Sequence, residues 1–222
     1  MQKRSSRTLY AITGLSALLI TYFGIAYNQQ ILRMLPLYVS LVIGLLQSKA
    51  SRYASLLGSA NSLLYTVVYA SLSLYANAAY ALLASFPLQL LTFFRWKKNA
   101  YKHSTKFQQL NKKQWIFLAA AFTLSFVVVN FILHKAGSAF RFWDNSSTLL
   151  SLAISVLTIF AFLEYTWFML INGLITIGMY IAMSTNDAAQ LTFLVYSCQS
   201  FICVVMQFVS VKHLYREQEE ML

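Results

Sequence analysis

Acidic side chains are scarce in this chain, with six Asp and Glu among 222 residues against seventeen Lys and Arg. Charge of either sign is missing from long stretches. Residues 53–94 form a run of 42 without Asp, Glu, Lys or Arg, and further uncharged blocks cover 8–32, 114–133, 145–163, 165–186 and 188–211. Only 10% of residues are charged and 59% are hydrophobic, with a mean hydropathy of +0.59. Water-soluble domains average about 25% charged residues, so a soluble globular protein is excluded. The net charge of +11 is not the footprint of a nucleic-acid binder, because a basic patch needs a soluble surface to carry it.

Other absences narrow the function. The two cysteines, Cys198 and Cys203, fall inside one apolar block; they read as small packing residues, with neither a disulfide nor a zinc site. There is no glycine loop of the G-x-x-x-x-G-K type to cradle a nucleotide phosphate. His103, His134 and His213 are widely separated, with no H-E-x-x-H-like spacing, so neither a metal site nor a catalytic pair is expected, nor an enzyme. No ring of acidic or basic residues is present to select an ion. No Asp, Glu, Lys, Arg or His falls in the middle of an expected span; Glu164 and Asp187 sit at loop edges. Proton-coupled carriers usually keep an ionisable group in the membrane. Transport down a gradient is the expectation, with sodium coupling through backbone carbonyls an open alternative.

An uncharged apolar stretch of about 18 residues crosses the roughly 30 Å hydrocarbon core as a helix. The blocks predict an all-α integral membrane protein of about eight transmembrane helices, at 8–27, 32–48, 54–74, 76–94, 115–134, 146–163, 166–184 and 188–210. The first is long enough to stay as an anchor rather than a cleaved signal. The second is the weakest, being short with Pro36 near its start, and Arg33 can snorkel to lengthen it. With the amino terminus inside, fourteen basic residues fall on cytoplasmic segments, seven of them in 95–113, and three (Arg33, Lys135, Arg141) fall outside. Positive charge favours the cytoplasmic side, so both termini are expected there. The 97–113 segment suits anionic headgroups, and the acidic tail reads as a solvated end.

An internal repeat organises the polar residues. Asn61 and Tyr69 recur as Asn172 and Tyr180 at an offset of 111, as does Leu63 at Leu174, while Gln89 and Gln199 follow in the next helix of each set. The offset covers four helices, an even number, so the copies run parallel through the membrane. Two three-helix repeats (31–96 and 145–212) are then joined by a loop and linker helix (97–134). Residues 1–30 form an additional amino-terminal helix and 213–222 a cytoplasmic tail. Parallel repeats are one architecture of carriers that hold substrate at the midplane. A single buried amide serves most often as interhelical glue. Four amides at related depths, with aromatics beside them, point to a shared cavity instead. Tyr65 and Tyr69 lie one and two turns beyond Asn61. Trp167 and Phe168 precede Asn172 and suit a flat heterocycle, a cationic one above all. Pro87, two residues before Gln89, frees a carbonyl that kinks the helix or meets substrate.

These residues stand in longer patterns: Gly58-x-x-Asn61 with its following tyrosines, Phe86-Pro87-x-Gln89 running into Trp96-Lys97-Lys98-Asn99, the Asp-Asn-Ser-Ser-Thr of 144–148, and Asn172 with its aromatic flank. From about residue 37 to 215 the chain resembles the PnuC-type vitamin transporters, whose best-known members carry nicotinamide riboside. The resemblance implies a relative of the SWEET fold working as a facilitator without a cofactor, with a cytoplasmic kinase trapping the substrate for NAD biosynthesis. It also implies a bacterial plasma membrane location and a homotrimer. By position it implies that Asn61, Gln89, Asn172 and Gln199 hydrogen-bond substrate while Trp167 and Phe168 border its ring. Nicotinamide riboside carriers typically have Trp-x-x-Trp seven and four residues before this Asn. Tyr165 and Phe168 stand there instead, and subfamilies taking thiamine, riboflavin or deoxynucleosides also lack the indole pair. Nicotinamide riboside is the leading expectation. The alternatives are another such vitamin or nucleoside, and a non-transporting membrane scaffold.

Overall fold

In lipid every backbone N–H and C=O must be satisfied within the chain, and the described residues answer this almost entirely with helix. The computed structural model describes residues 2–135 and 140–221; the middle of the expected outer loop, 136–139, lies outside them. Eight continuous helical segments result. They are α1 (Gln2–Ala26), α2 (Ile31–Gln47), α3 (Tyr53–Ser71), then α4 (Tyr75–Tyr80) joined by a π turn (Ala81–Ser85) to α5 (Phe86–Lys98), α6 (Lys112–Lys135), α7 (Arg141–Ile159), α8 (Tyr165–Ser184) and α9 (Leu191–Glu219). Five are long and apolar enough to cross a membrane. Of the other three, α2 has only 17 residues, and α3 and α7 reach 19 but are diluted by Ser, Thr and Asn. That polarity has a destination inside the protein.

Helices α2, α3 and α4–α5 pack as one bundle, and α7, α8 and α9 as another. The bundles meet twice, α2 against α9 and α4–α5 against α7. Helix α1 leans on α9 and α2, and α6 touches α7, leaving Ile116, Phe117, Val127 and Phe131 exposed where lipid would lie. One apolar cluster, with Leu37, Leu74, Tyr180 and Phe193, fills one end of the junction; another, with Trp96, Phe107, Tyr165 and Val211, fills the opposite end.

Four helix ends among the described residues are made without glycine, of which the chain has seven. Asn28, Ala50, Ser73 and Ala161 adopt positive φ of 48–57° after α1, α2, α3 and α7. In each case the next N–H reaches back five residues and the left-handed residue's own N–H three, as in Leu74→Tyr69 and Ser73→Ala70. This double bond satisfies carbonyls that a helix end otherwise leaves orphaned. Ala50 and Ala161, ending α2 and α7, are themselves 111 residues apart. Pro87 explains the π turn: it lacks an N–H and its ring clashes with the carbonyl four residues back, and the Phe86 N–H bonds Ala81 O in the wider register.

Two features depart from the expectation. Helix α9 does not stop near 210 but runs to Glu219, and the acidic tail is docked in part, through Glu217 and Gln218, while Glu219 and Glu220 are exposed. Glu217 pairs with Lys102 at 2.8 Å, while Gln218 accepts from Phe107 N and donates to Thr105 O. Lys102 and Thr105 belong to a two-stranded hairpin, β1 (Ala100–Tyr101) and β2 (Ser104–Thr105), inside the basic segment, and Phe107 follows it by two residues. A left-handed L-residue costs about 1–2 kcal/mol, offset in part by the extra chain entropy of glycine. Ser73→Gly is therefore expected to stabilise the protein by about 0.5–1 kcal/mol, and Ser71→Gly, two residues earlier at the helical end of α3, to destabilise it. Thermal unfolding of both variants in detergent checks the pair.

Candidate functional site

The serines, threonines and amides of α3 and α7 face a cavity between the two bundles. It has two lobes, of about 290 and 180 Å³, that share Gln47, Tyr69, Asn77, Tyr80, Gln89, Ser151 and Tyr196. Among the described residues, no Asp, Glu, Lys, Arg or His lines either lobe.

The two repeated asparagines are set up alike. Asn61 donates Nδ2–H to Ser40 Oγ at 2.8 Å and to Pro36 O at 3.1 Å. Asn172 donates Nδ2–H to Ser151 Oγ at 3.2 Å. Ser40 and Ser151 are again 111 residues apart. Both carboxamide oxygens, Asn61 Oδ1 and Asn172 Oδ1, are buried without a partner among the described residues. An unmet buried acceptor is costly, and each is a ready place for a ligand donor.

Gln89 is fixed by the π turn: its Nε2 donates to Ser85 Oγ at 2.6 Å and Ser62 Oγ at 3.2 Å. Gly58 leaves room for it, since a Cβ there would stand 1.9 Å from Gln89 Oε1. That close approach accounts for the glycine in Gly58-x-x-Asn61. Tyr65 accepts from Ser40 Oγ and stacks on Tyr69, ring centroids 5.2 Å apart. Tyr69 packs against the buried cluster that holds Tyr180.

Asn61, Tyr65, Tyr69, Gln89 and Asn172 thus come together around the cavity. Four other expected residues stand outside its wall. Tyr180 is buried behind Tyr69, stacked on Phe193 at 5.3 Å. The wall residues of α8 are 165, 169, 172, 173, 176 and 179, a helical stripe that leaves position 167 on another face and 168 at its border. Trp167 is 55% exposed against Phe208, and Phe168 stacks on Trp115 of α6. Gln199 is rotated off the stripe formed by Tyr196, Ser200, Val204 and Gln207, and donates to Thr13 of α1 and to Cys203 Sγ.

The sequence reading missed several wall residues: Asn77, Tyr80, Ser151, Tyr196 and Gln207. It quoted Asp144 only as the start of a motif and gave it no role, yet the residue is fully buried although it lies just before an uncharged block. Its carboxylate accepts from the N–H groups of Ala76 and Asn77 and from Asn77 Nδ2, while Asn77 Nδ2 also reaches Ser147 Oγ. The acid of one bundle therefore caps the opening turn of α4 in the other. Extending the 111-residue comparison to serine would have found Ser151; nothing local marks Asp144.

Five apolar spans and an uncharged polar cavity enclosed by two helical bundles define a multi-pass membrane protein built to hold a small neutral or weakly charged molecule. A profile of the nicotinamide mononucleotide transporter family matches residues 30–210, and the chain belongs to that family. It is 27% identical over 165 residues to the nicotinamide riboside transporter PnuC of Neisseria mucosa, a match covering 69% of this chain and 62% of that relative's length. Its fold is similar to that in the crystal structure of the vitamin B3 transporter PnuC, with a TM-score of 0.79 at 20% identity over 94% of this chain and 90% of that one.

Two outcomes follow. Gly58→Ala is expected to push the Gln89 amide off Ser62 and Ser85, weakening ligand binding about tenfold or more with little change in melting temperature, because only a flexible side-chain end must move. Ligand titration beside thermal unfolding checks this. Asp144→Ala leaves the N–H groups of Ala76 and Asn77 unmet and is expected to cost about 2–4 kcal/mol of stability, read as a lowered thermal midpoint.

Proposed function

We propose that this chain is a facilitator that lets nicotinamide riboside equilibrate across a bacterial plasma membrane, with both termini cytoplasmic and eight crossings arranged as two parallel three-helix repeats, a linker helix (α6) and an additional first helix. The observation that carries the reading is the pair of half-satisfied amides, Asn61 and Asn172, each held by a serine of the preceding helix and each with an unmet oxygen in an uncharged cavity. Ribose hydroxyls and amide N–H groups supply the donors such oxygens need. The matching Ser40–Asn61 and Ser151–Asn172 pairs and the left-handed alanines at 50 and 161 support the repeat. In this reading Asn61, Tyr65, Tyr69, Gln89 and Asn172 contact substrate, joined by Ser151 and Tyr196. Tyr180 supports Tyr69 from behind, Trp167 and Phe168 serve the lipid and α6 faces, and Gln199 anchors α1.

Electrostatics decides between the nucleoside and its phosphate. A phosphomonoester carries about two negative charges at neutral pH, and burying them with no lining cation is prohibitive. A nucleoside meets no such penalty. With no Asp, Glu, Lys, Arg or His among the described residues lining the cavity to relay a proton, net uptake draws on removal of the product, for which a cytoplasmic kinase is the natural partner; a homotrimer is the proposed assembly. A second reading keeps the carrier but changes the cargo to thiamine, riboflavin or a deoxynucleoside. It is favoured by Tyr165 and Phe168 where an indole pair would stand, and by Trp167 lying outside the cavity wall.

Proteoliposomes containing the protein are expected to take up labelled nicotinamide riboside saturably, without an ion gradient, and to exclude the mononucleotide. Asn172→Leu is expected to reduce that uptake at least about tenfold, the scale of one lost buried hydrogen bond. Uptake of another vitamin in its place would move the assignment to the second reading. If none of these ligands enters and none shifts the melting temperature, a scaffold is the better description.

A further inference from the structure

Two side chains in the larger lobe form a polar couple that the contacts above leave unused. Gln207 on α9 and Tyr165 at the start of α8 are 5% and 1% exposed, and both line the lobe. Gln207 donates Nε2–H to the Tyr165 hydroxyl at 2.9 Å, and its own Oε1 has no partner among the described residues. The phenol oxygen is the acceptor in that bond, so its proton remains available to donate. A hydroxyl donor and a carbonyl acceptor therefore stand side by side at a buried position.

A ligand group that answers this couple carries a C=O and an N–H next to each other, as a carboxamide or a ring lactam does. Its carbonyl takes the Tyr165 proton and its N–H goes to Gln207 Oε1. A carboxylate fails on both counts of charge and hydrogen bonding: it has no N–H to give, and it would set a negative charge against a carbonyl oxygen in a lobe without a lining cation. The surroundings suit a flat ring. Trp96 lines the same lobe and meets the Tyr165 ring edge-on at 6.4 Å, with Phe107 stacked behind Tyr165 at 6.4 Å.

We propose that Tyr165 and Gln207 read the amide edge of the ligand's heterocycle, so that the carrier selects amide- or lactam-bearing rings over their acid or N-alkylated counterparts. This rests on the carrier reading above and assigns its specificity to a couple on α8 and α9. Sites that hydrogen-bond a polar group reject analogues lacking it because the protein's own buried groups are left unpaired.

The test uses the purified full-length protein in detergent and measures affinity for two matched pairs: nicotinamide riboside against nicotinic acid riboside, and uridine against 3-methyluridine. Wild type is expected to bind the amide or imide member of at least one pair about tenfold or more tightly than its counterpart. Gln207→Leu and Tyr165→Phe are expected to collapse that ratio by weakening the amide-bearing member alone. Equal wild-type affinity for both members of each bound pair overturns the proposal, and this measurement needs no variant to fold. A loss in the variants that falls equally on both members also overturns it. Discrimination within the uridine pair, with neither pyridine riboside bound, upholds amide reading while removing nicotinamide riboside as cargo. Binding of none of the four removes both.

Discussion

A carboxamide placed among apolar helices must spend its donors and acceptors on something, since lipid offers no partner. Asn61 and Asn172 spend their N–H groups on a serine one helix away and leave their oxygens unmet. The rest of the architecture follows from that arrangement. The serine fixes each side chain, the two bundles bring the unmet oxygens to a common space, and the polar faces of α3 and α7 are turned inward so that the outer surface stays apolar. What sets Asn61 and Asn172 apart from the equally half-paired Asn145 and Gln199 is that they line the cavity, where a ligand can reach the unmet oxygen.

The same economy governs the fourth span. Pro87 interrupts the α-helical ladder, the π turn absorbs the interruption, and Ser85 within that turn holds Gln89 toward the cavity. Gly58 on the facing helix makes the space. A breaker residue, a missing side chain and an amide therefore form one device spread over two helices, which is why the motif around Asn61 and the motif around Gln89 occur together.

Much of the helical layout was legible in the chain because charge is so cleanly confined to the connections. The existence of eight helical segments could be read from uncharged blocks, and Asn61, Gln89 and Asn172 stood out as amides too costly to bury idly. Facing was harder to read. Trp167 and Phe168 sit five and four positions before Asn172; a helix turning about 100° per residue sends position 167 outward, while 168, only about 40° from Asn172, borders the wall and is drawn aside by its stack on Trp115 of α6. Gln199 matched Gln89 in order but not in rotation. Asp144 stood in a motif without a role because it opens a helix like any surface acid; only the approach of α4 from the other bundle shows what it serves. The length of α9 was underestimated because its last turns are polar, and two of those polar residues, Glu217 and Gln218, turn to the hairpin segment.

The Asp144 carboxylate has a consequence for how the molecule is made. The amides it caps belong to residues 76 and 77, while the acid itself arrives almost seventy residues later in the chain. When the ribosome has delivered the fourth span, the first turn of α4 still lacks the acceptor it will use. The amino-terminal bundle is thus left unfinished until its successor enters the bilayer, and assembly of the two is a joint event rather than the docking of completed parts.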